Sequence, residues 1–282
     1  MKEISMDFFR DEVRNGFFIP TAVKQAWAAQ LQVLDVIETI CRKHDITYFA
    51  DWGTMLGTVR HGGYVPWDDD MDICMKRADY TRFKEAAKTE LPKDFRIHDY
   101  EHQEVHWLFL SRVANSVHIN FEPEHMKQFH NFPYIAGIDI FVLDHVSENK
   151  AKDFIWRVRN GILMVLIVFF ENLHCNPLLL KRRFVRNAKK YGQINKNTAW
   201  IGYDLTWTFN SFFHPVVYSL ESVFPIQYVE FEDTMLPVPK RPKDMLDVEV
   251  STQHMSYPPL KDQAPKHIKD IELQASLIDD IR

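Results

Sequence analysis

The stretch Pro66-Trp67-Asp68-Asp69-Asp70-Met71-Asp72-Ile73 decides how this sequence is read. Four carboxylates in five residues repel one another unless a cation neutralises them. Met71, Ile73 and Cys74 make the following segment apolar, which argues for a buried strand against a solvated acidic turn. In a strand, residues i and i+2 share one face. Asp70 and Asp72 are therefore expected to point together, with Met71 and Ile73 packed behind them. Two hard oxygen ligands on a rigid strand suit Mg²⁺ or Mn²⁺. Asp68, Asp70 and Asp72 also follow the spacing of a calcium loop. That loop needs Gly at its sixth position and Glu at its twelfth, where this chain has Ile73 and Asp79.

Downstream, Gly137-Ile138-Asp139-Ile140-Phe141-Val142-Leu143 reads as a second apolar strand with one acid inside it. An Asp between isoleucines is costly unless it is paired or bound to metal. Beside the first strand, Asp139 would complete a three-carboxylate cluster for one or two ions, about 3.5–4 Å apart when there are two. The competing reading is an ion pair with an arginine such as Arg112. Upstream lies Asp51-Trp52-Gly53-Thr54-Met55-Leu56-Gly57. Gly and a hydroxyl residue opening a helix can cradle a phosphate with backbone N–H groups. Arg60 and His61 follow as candidate phosphate contacts, His61 having a backbone hydrogen-bonding role as its alternative.

The flanking pattern predicts an α/β (α+β) fold: a mixed sheet with flanking helices and an additional helical subdomain. Trp27, Leu31, Leu34, Ile37 and Cys41 recur at helical spacing after Pro20-Thr21. Strands are expected at 46–51, 71–75, 106–113, 117–121 and 134–143, and a helix at 79–88. Residues 1–149 are read as the catalytic core and 150–215 as the helical subdomain. The proline-rich 216–282 is read as a loop-rich segment returning to the core.

At 282 residues and 46% hydrophobic, the chain has ample material for a packed core. Its net charge of −5 disfavours nucleic acid as a partner. Cys41, Cys74 and Cys175 are far apart, which excludes a disulfide framework and a zinc site. The charged N-terminus lacks a secretory apolar stretch, and the longest apolar run, 162–170, is short of the ~20 residues that span a bilayer. The expected location is cytoplasmic, peripheral at the inner face of the plasma membrane. There the apolar helix and the basic run Lys181 to Lys190 (region 155–190) would meet anionic lipid. A solvated helix face is the alternative for that run.

The block Asp51-Trp-Gly-Thr-Met-Leu-Gly-Thr-Val-Arg60-His-Gly-Gly-Tyr-Val-Pro-Trp-Asp-Asp-Asp-Met-Asp-Ile-Cys-Met-Lys-Arg-Ala-Asp-Tyr80 resembles the signature of the LicD family of phosphocholine transferases. Fukutin and fukutin-related protein are distant members of that family. It is in turn similar to the nucleotidyltransferase superfamily, whose pattern is Gly-Ser/Thr, then Asp-x-Asp, then a later acid. Gly53-Thr54, Asp70 with Asp72, and Asp139 match it. Phe231-Glu232, Leu236-Pro237-Val238-Pro239, and Met255 with Pro258-Pro259 resemble later family motifs. Ser251-Thr252-Gln253-His254 departs from the Tyr-Gly-Asp-Tyr-like stretch common before that Met.

The resemblance implies a nucleotidyltransferase-like core, a CDP-choline donor and a sugar-hydroxyl acceptor on a bacterial surface glycan such as teichoic acid or lipopolysaccharide. The acceptor could be lipid-linked. CMP would be released. Asp70, Asp72 and Asp139 would then hold Mg²⁺ or Mn²⁺, with Asp68 and Asp69 supporting the metal site or its waters. Gly53, Thr54, Arg60 and His61 would hold donor phosphates. Choline's quaternary ammonium suits aromatic faces, for which Trp52, Tyr64 and Trp67 are candidates, a core role being their alternative. The rival functions are a transferase using another CDP-alcohol or a nucleotide-sugar donor (DxD glycosyltransferase-like), and an inactive glycan- or nucleotide-binding protein.

Overall fold

Helical periodicity in the N-terminal region produces one long helix. The computed structural model describes residues 3–101, 109–115, 137–207 and 215–265. A 3₁₀ turn at Met6–Phe9 and a hairpin of β1 (Glu12–Arg14) and β2 (Phe17–Ile19) lead into α1 (Thr21–Lys43). Trp27, Leu31, Leu34, Ile37 and Cys41 of α1 are all buried in the main core. That spacing is what one apolar helix face requires.

The helix does more than cover the sheet. Trp27 Nε1 donates to the Asp68 carbonyl at 2.9 Å, and Gln30 Nε2 donates to the Asp69 carbonyl at 2.8 Å. Two side chains of α1 thus satisfy backbone acceptors in the acidic turn, which would otherwise be costly to bury. Trp27 also stacks on Tyr64, with ring centroids 4.5 Å apart.

Short strands and helices then alternate: β3 (Tyr48–Ala50), α2 (Trp52–Arg60), β4 (Asp72–Lys76), α3 (Arg77–Glu90), β5 (Phe95–His98), β6 (Ser111–Asn115) and β7 (Gly137–His145). The helices α4 (Lys150–Asn172) and α5 (Leu178–Ile194) follow. Next come β8 (Trp200–Tyr203), β9 (Val217–Ser219) and α6 (Leu220–Val223). A hairpin of β10 (Gln227–Phe231) and β11 (Thr234–Val238) precedes α7 (Pro242–Glu249).

The central sheet is mixed. Its order is β3-β4-β7-β6-β5, with β8 also on β7 and β9 on β8. β4 and β7 run parallel; the other pairs in this sheet are antiparallel. The nine-residue β7 serves as the axis. It pairs β6 through Gly137–Ile140 and β8 through Leu143–His145, so one edge of β7 takes two partners in succession. The mixed sheet flanked by helices is the expected α+β class.

Two ends of the sequence expectation shift. Asp70 and Met71 precede β4 instead of opening it, although Met71 O already accepts the Asp139 N–H at 3.0 Å. The strand expected at 117–121, residues 106–108 of the one expected at 106–113 and residues 134–136 of the one expected at 134–143 lie outside the described residues. Residues 150–215 contain two helices and also β8, which extends the core sheet.

The α1 contacts carry a prediction. Trp27→Ala removes a fully buried ring, its stack on Tyr64 and a donor to the acidic turn. Urea unfolding should show a loss of about 3–5 kcal/mol; a loss under about 1 kcal/mol would contradict this role for α1.

Candidate active site

Register brings the site together. In the parallel pair, Asp72 lies opposite Asp139. In the antiparallel pair on the other side, Arg112 lies opposite Asp139. Directly opposed residues on adjacent strands share a sheet face. Asp72, Asp139 and Arg112 therefore form one lateral row across β4, β7 and β6, and all three are buried. Arg112 Nε and Nη2 donate to Asp139 Oδ1 and Oδ2 at 2.5 and 2.6 Å, a bidentate fork. The side chain of Arg112 crosses Gly137 to get there, and a Cβ at 137 would collide with its methylenes. The Gly-Ile-Asp order thus serves the pair.

The other end of the row is crowded with like charge. Burial pushes the Asp72 carboxyl well above the usual carboxylate range, and the charges of Asp70, Asp139, Asp51 and Asp68 add to that rise. Among the described residues, no three His, Cys, Asp or Glu side chains stand close enough to ligate one ion as they are. Asp139 is engaged by Arg112, which explains part of that spacing. The donor chemistry still fits a hard divalent cation. Asp70 and Asp72 supply carboxylate oxygens in a region of excess negative charge, with Asp139 beside them.

The helix before the acidic turn is locked to the row. Thr54 Oγ1 accepts the Asp72 N–H at 2.8 Å, and Asp51 N–H donates to Asp72 O at 3.0 Å. Gly53 lies close to the acidic turn: a Cβ there would meet the Asp68 carboxylate, which would have to move. The Gly-Thr pair thus sits on the acid-bearing strand, with its hydroxyl oxygen already holding Asp72 in place. Trp52 opens this helix with φ of 42°, in the left-handed region, which costs a non-glycine residue of order 1–3 kcal/mol.

Trp52 belongs to an aromatic cluster that sequence reading missed. Its ring stacks on Tyr203 with centroids 5.8 Å apart and lies 6.4 Å from Trp207. Phe141 packs on both at 5.6 and 4.9 Å. Phe141 is two residues beyond Asp139 on β7, so it shares the face of the row. The Trp52 Nε1 is buried without a hydrogen-bond partner among the described residues. The other two aromatic candidates sit elsewhere. Tyr64 is buried against Trp27 and Phe231. Trp67 packs on Phe17, His61 and Tyr257.

Arg60 and His61 bind protein groups here. Arg60 Nη1 donates to the carbonyls of His254 and Ser256 at 2.8 and 3.0 Å, and its guanidinium lies over the Trp67 and Tyr257 rings. Arg60 Nε donates to His61 Nε2 at 2.9 Å, while Asn15 Nδ2 stands 2.7 Å from His61 Nδ1. Burial and the charges of Arg60 and Arg14 lower the His61 pKa to about 4, so the ring is neutral near pH 7. Together these contacts clamp segment 254–257 onto the signature block.

A second missed group lies beneath α2. Asp51 is fully buried and accepts hydrogen bonds from the Tyr203 hydroxyl at 2.8 Å and the Cys74 thiol at 3.2 Å. Tyr203 and Tyr218 also reach Glu249 of α7. Burial raises the Asp51 and Glu249 carboxyls, as does their mutual proximity for Glu249. No pattern in the sequence pairs residue 51 with 249; only the fold does.

The crowding at Asp72 gives a signed prediction. A carboxyl whose folded-state pKa is raised contributes fully to stability only below its unfolded pKa, about 3.9. That contribution is lost as pH rises through the folded pKa. Asp72→Asn should therefore raise Tm at pH 8 by a few degrees, about 2–4 °C per kcal/mol relieved, and by less at pH 5. Calorimetry showing a lower Tm at pH 8 would contradict the assignment.

Comparison with known proteins agrees with the geometry. Residues 45–160 match the family model described as LicD/FKTN/FKRP, nucleotidyltransferase domain. Over 71 residues the chain is 35% identical to the lipopolysaccharide cholinephosphotransferase LicD of Haemophilus influenzae, covering 25% of this chain and 27% of that protein. It is 37% identical over 66 residues to an uncharacterised protein of Rickettsia typhi (23% of this chain, 21% of that one). A third relative, an uncharacterised protein of Rickettsia prowazekii, is 40% identical over 48 residues (17% and 18%). The matched stretches thus span about a quarter or less of the curated relatives. Residues 45–160 carry the likeness to the LicD/FKTN/FKRP nucleotidyltransferase domain.

Proposed function

We propose that this chain transfers phosphocholine from CDP-choline to a sugar hydroxyl of a bacterial cell-surface glycan and releases CMP. The observation that carries this reading is the row Asp72–Asp139–Arg112, with Asp70 and the Gly53-Thr54 helix start beside it. The cholinephosphotransferase named among the relatives supports the choline donor and the glycan acceptor.

Asp70, Asp72 and Asp139 would hold a divalent cation, Mg²⁺ or Mn²⁺. Such a cation would neutralise charge on the donor phosphates. Arg112 fixes the rotamer of Asp139 at the centre of the row, and Thr54 fixes the start of β4. The acceptor hydroxyl attacks the choline-bearing phosphorus. Its oxygen forms the new P–O bond, the P–O bond to CMP breaks, and CMP leaves with that electron pair. The hydroxyl proton passes to a carboxylate oxygen of the row, for which Asp139 is the candidate. Positioning and charge neutralisation supply most of the acceleration.

The aromatic cluster supports choline in particular. A quaternary ammonium is favoured over aromatic faces, and Trp52, Tyr203, Trp207 and Phe141 stand next to the row. The buried Trp52 Nε1 has no hydrogen-bond partner among the described residues. Tyr64 and Trp67 belong to other ring contacts, Tyr64 with Trp27 and Trp67 with Phe17, His61 and Tyr257.

The test is CMP release from CDP-choline with a crude surface-glycan acceptor, with and without Mg²⁺ or Mn²⁺. The expected result is metal- and acceptor-dependent CMP, reduced at least about 10³-fold by Asp70→Ala or Asp72→Ala with the fold retained. Turnover surviving in both variants would refute the role of the row. CMP release from CDP-ribitol but not from CDP-choline would leave the row in place and overturn the donor.

A further inference from the structure

The helical hairpin of α4 and α5 has an unusual surface. Its inward face is accounted for: Leu163, Met164 and Ile167 of α4 pack with Phe184 of α5. Its outward face is apolar. Ile155, Ile162, Leu166, Phe169 and Leu173 are exposed at steps of seven, four, three and four, one stripe along the helix. Val165 and Phe170 flank the stripe, and Leu179 at the start of α5 is 79% exposed. Exposed apolar area of this extent is rare on a solvated surface and marks an interaction site.

The charges around the stripe identify the partner. Residues 150–194 contain ten of the chain's 34 Lys and Arg but only two of its 39 acids. Both acids are buried in internal pairs, Asp153 with Arg157 and Glu171 with Lys181. Lys150, Lys152, Arg159, Arg182, Arg183, Arg186, Lys189 and Lys190 are exposed. The hairpin surface is therefore cationic without an exposed anion, on a chain whose net charge is −5. Leu179 lies one turn before Arg182 and Arg183, so the apolar and basic faces meet where the two helices join. Two copies of this face would repel each other.

We propose that the α4–α5 hairpin docks on an anionic lipid surface, its apolar stripe entering the interface and its α5 cations contacting headgroups. An apolar face beside Lys and Arg is how a helix lies in a membrane interface. The arrangement is interfacial, since no described helix is long and apolar enough to cross a membrane. Surface-bound protein would meet acceptors at the bilayer, but the proposal does not depend on the transferase reading.

Co-sedimentation with vesicles tests it directly. The full chain should bind vesicles containing phosphatidylglycerol, bind pure phosphatidylcholine vesicles far less, and lose binding as salt rises. The variant R182Q/R183Q/R186Q/K189Q/K190Q should bind anionic vesicles at least about tenfold more weakly. L166S/F169S/L173S should weaken binding too, and both should keep the parent's circular dichroism. Three results would overturn the proposal: no binding of the parent to anionic vesicles, equal binding by parent and the glutamine variant, or a concentration-dependent dimer in solution that the serine variant dissolves.

Discussion

Two carboxylates held side by side on adjacent parallel strands are the constraint around which this molecule is arranged. The register of β4 against β7 sets Asp72 beside Asp139, and burial strengthens their repulsion. A sheet does not place two acids there without compensation. One compensation is visible, the fork from Arg112 to Asp139. It leaves Asp72 facing the charges of Asp70, Asp51 and Asp68. The proposed cation would neutralise that remaining negative charge.

The surrounding elements serve that strained row. α1 spends Trp27 and Gln30 on carbonyls of the acidic turn. α2 supplies Thr54 to the backbone of Asp72 and lets Gly53 lie against Asp68. Arg77, at the start of α3, pairs with Asp144 of β7 and Asp204 after β8, tying the sheet together beyond the row. The C-terminal segment is held over the block by Arg60 and by Tyr257 stacked on His61. The site thus depends on positions from residue 27 to residue 257, well outside the matched 45–160.

The parts legible in the sequence were those with strong local patterning. The face of α1, the strand after Asp70 and the buried Asp139 show in periodicity and in an acid placed among isoleucines. The Asp139–Arg112 pair was one of two readings, and the structure contains it beside Asp72. The short strands β1, β2, β5, β8, β9, β10 and β11 were missed because three to five residues carry too little alternation. The Trp52–Phe141–Tyr203–Trp207 cluster and the Asp51–Tyr203–Glu249 group were illegible for a different reason. Their members come from distant segments that only the sheet brings together. Arg60 and His61 looked like phosphate ligands by their place after Gly53-Thr54, but in the fold they contact segment 254–257.

The proposed function stands on Asp72 and its neighbours holding a divalent cation together with a nucleotide donor. Electron paramagnetic resonance of Mn²⁺ titrated into the protein with CDP-choline measures that most directly. Bound Mn²⁺ is expected in the parent and in Arg60→Gln, and its loss in Asp72→Asn. Equal Mn²⁺ binding by parent and Asp72→Asn would contradict it.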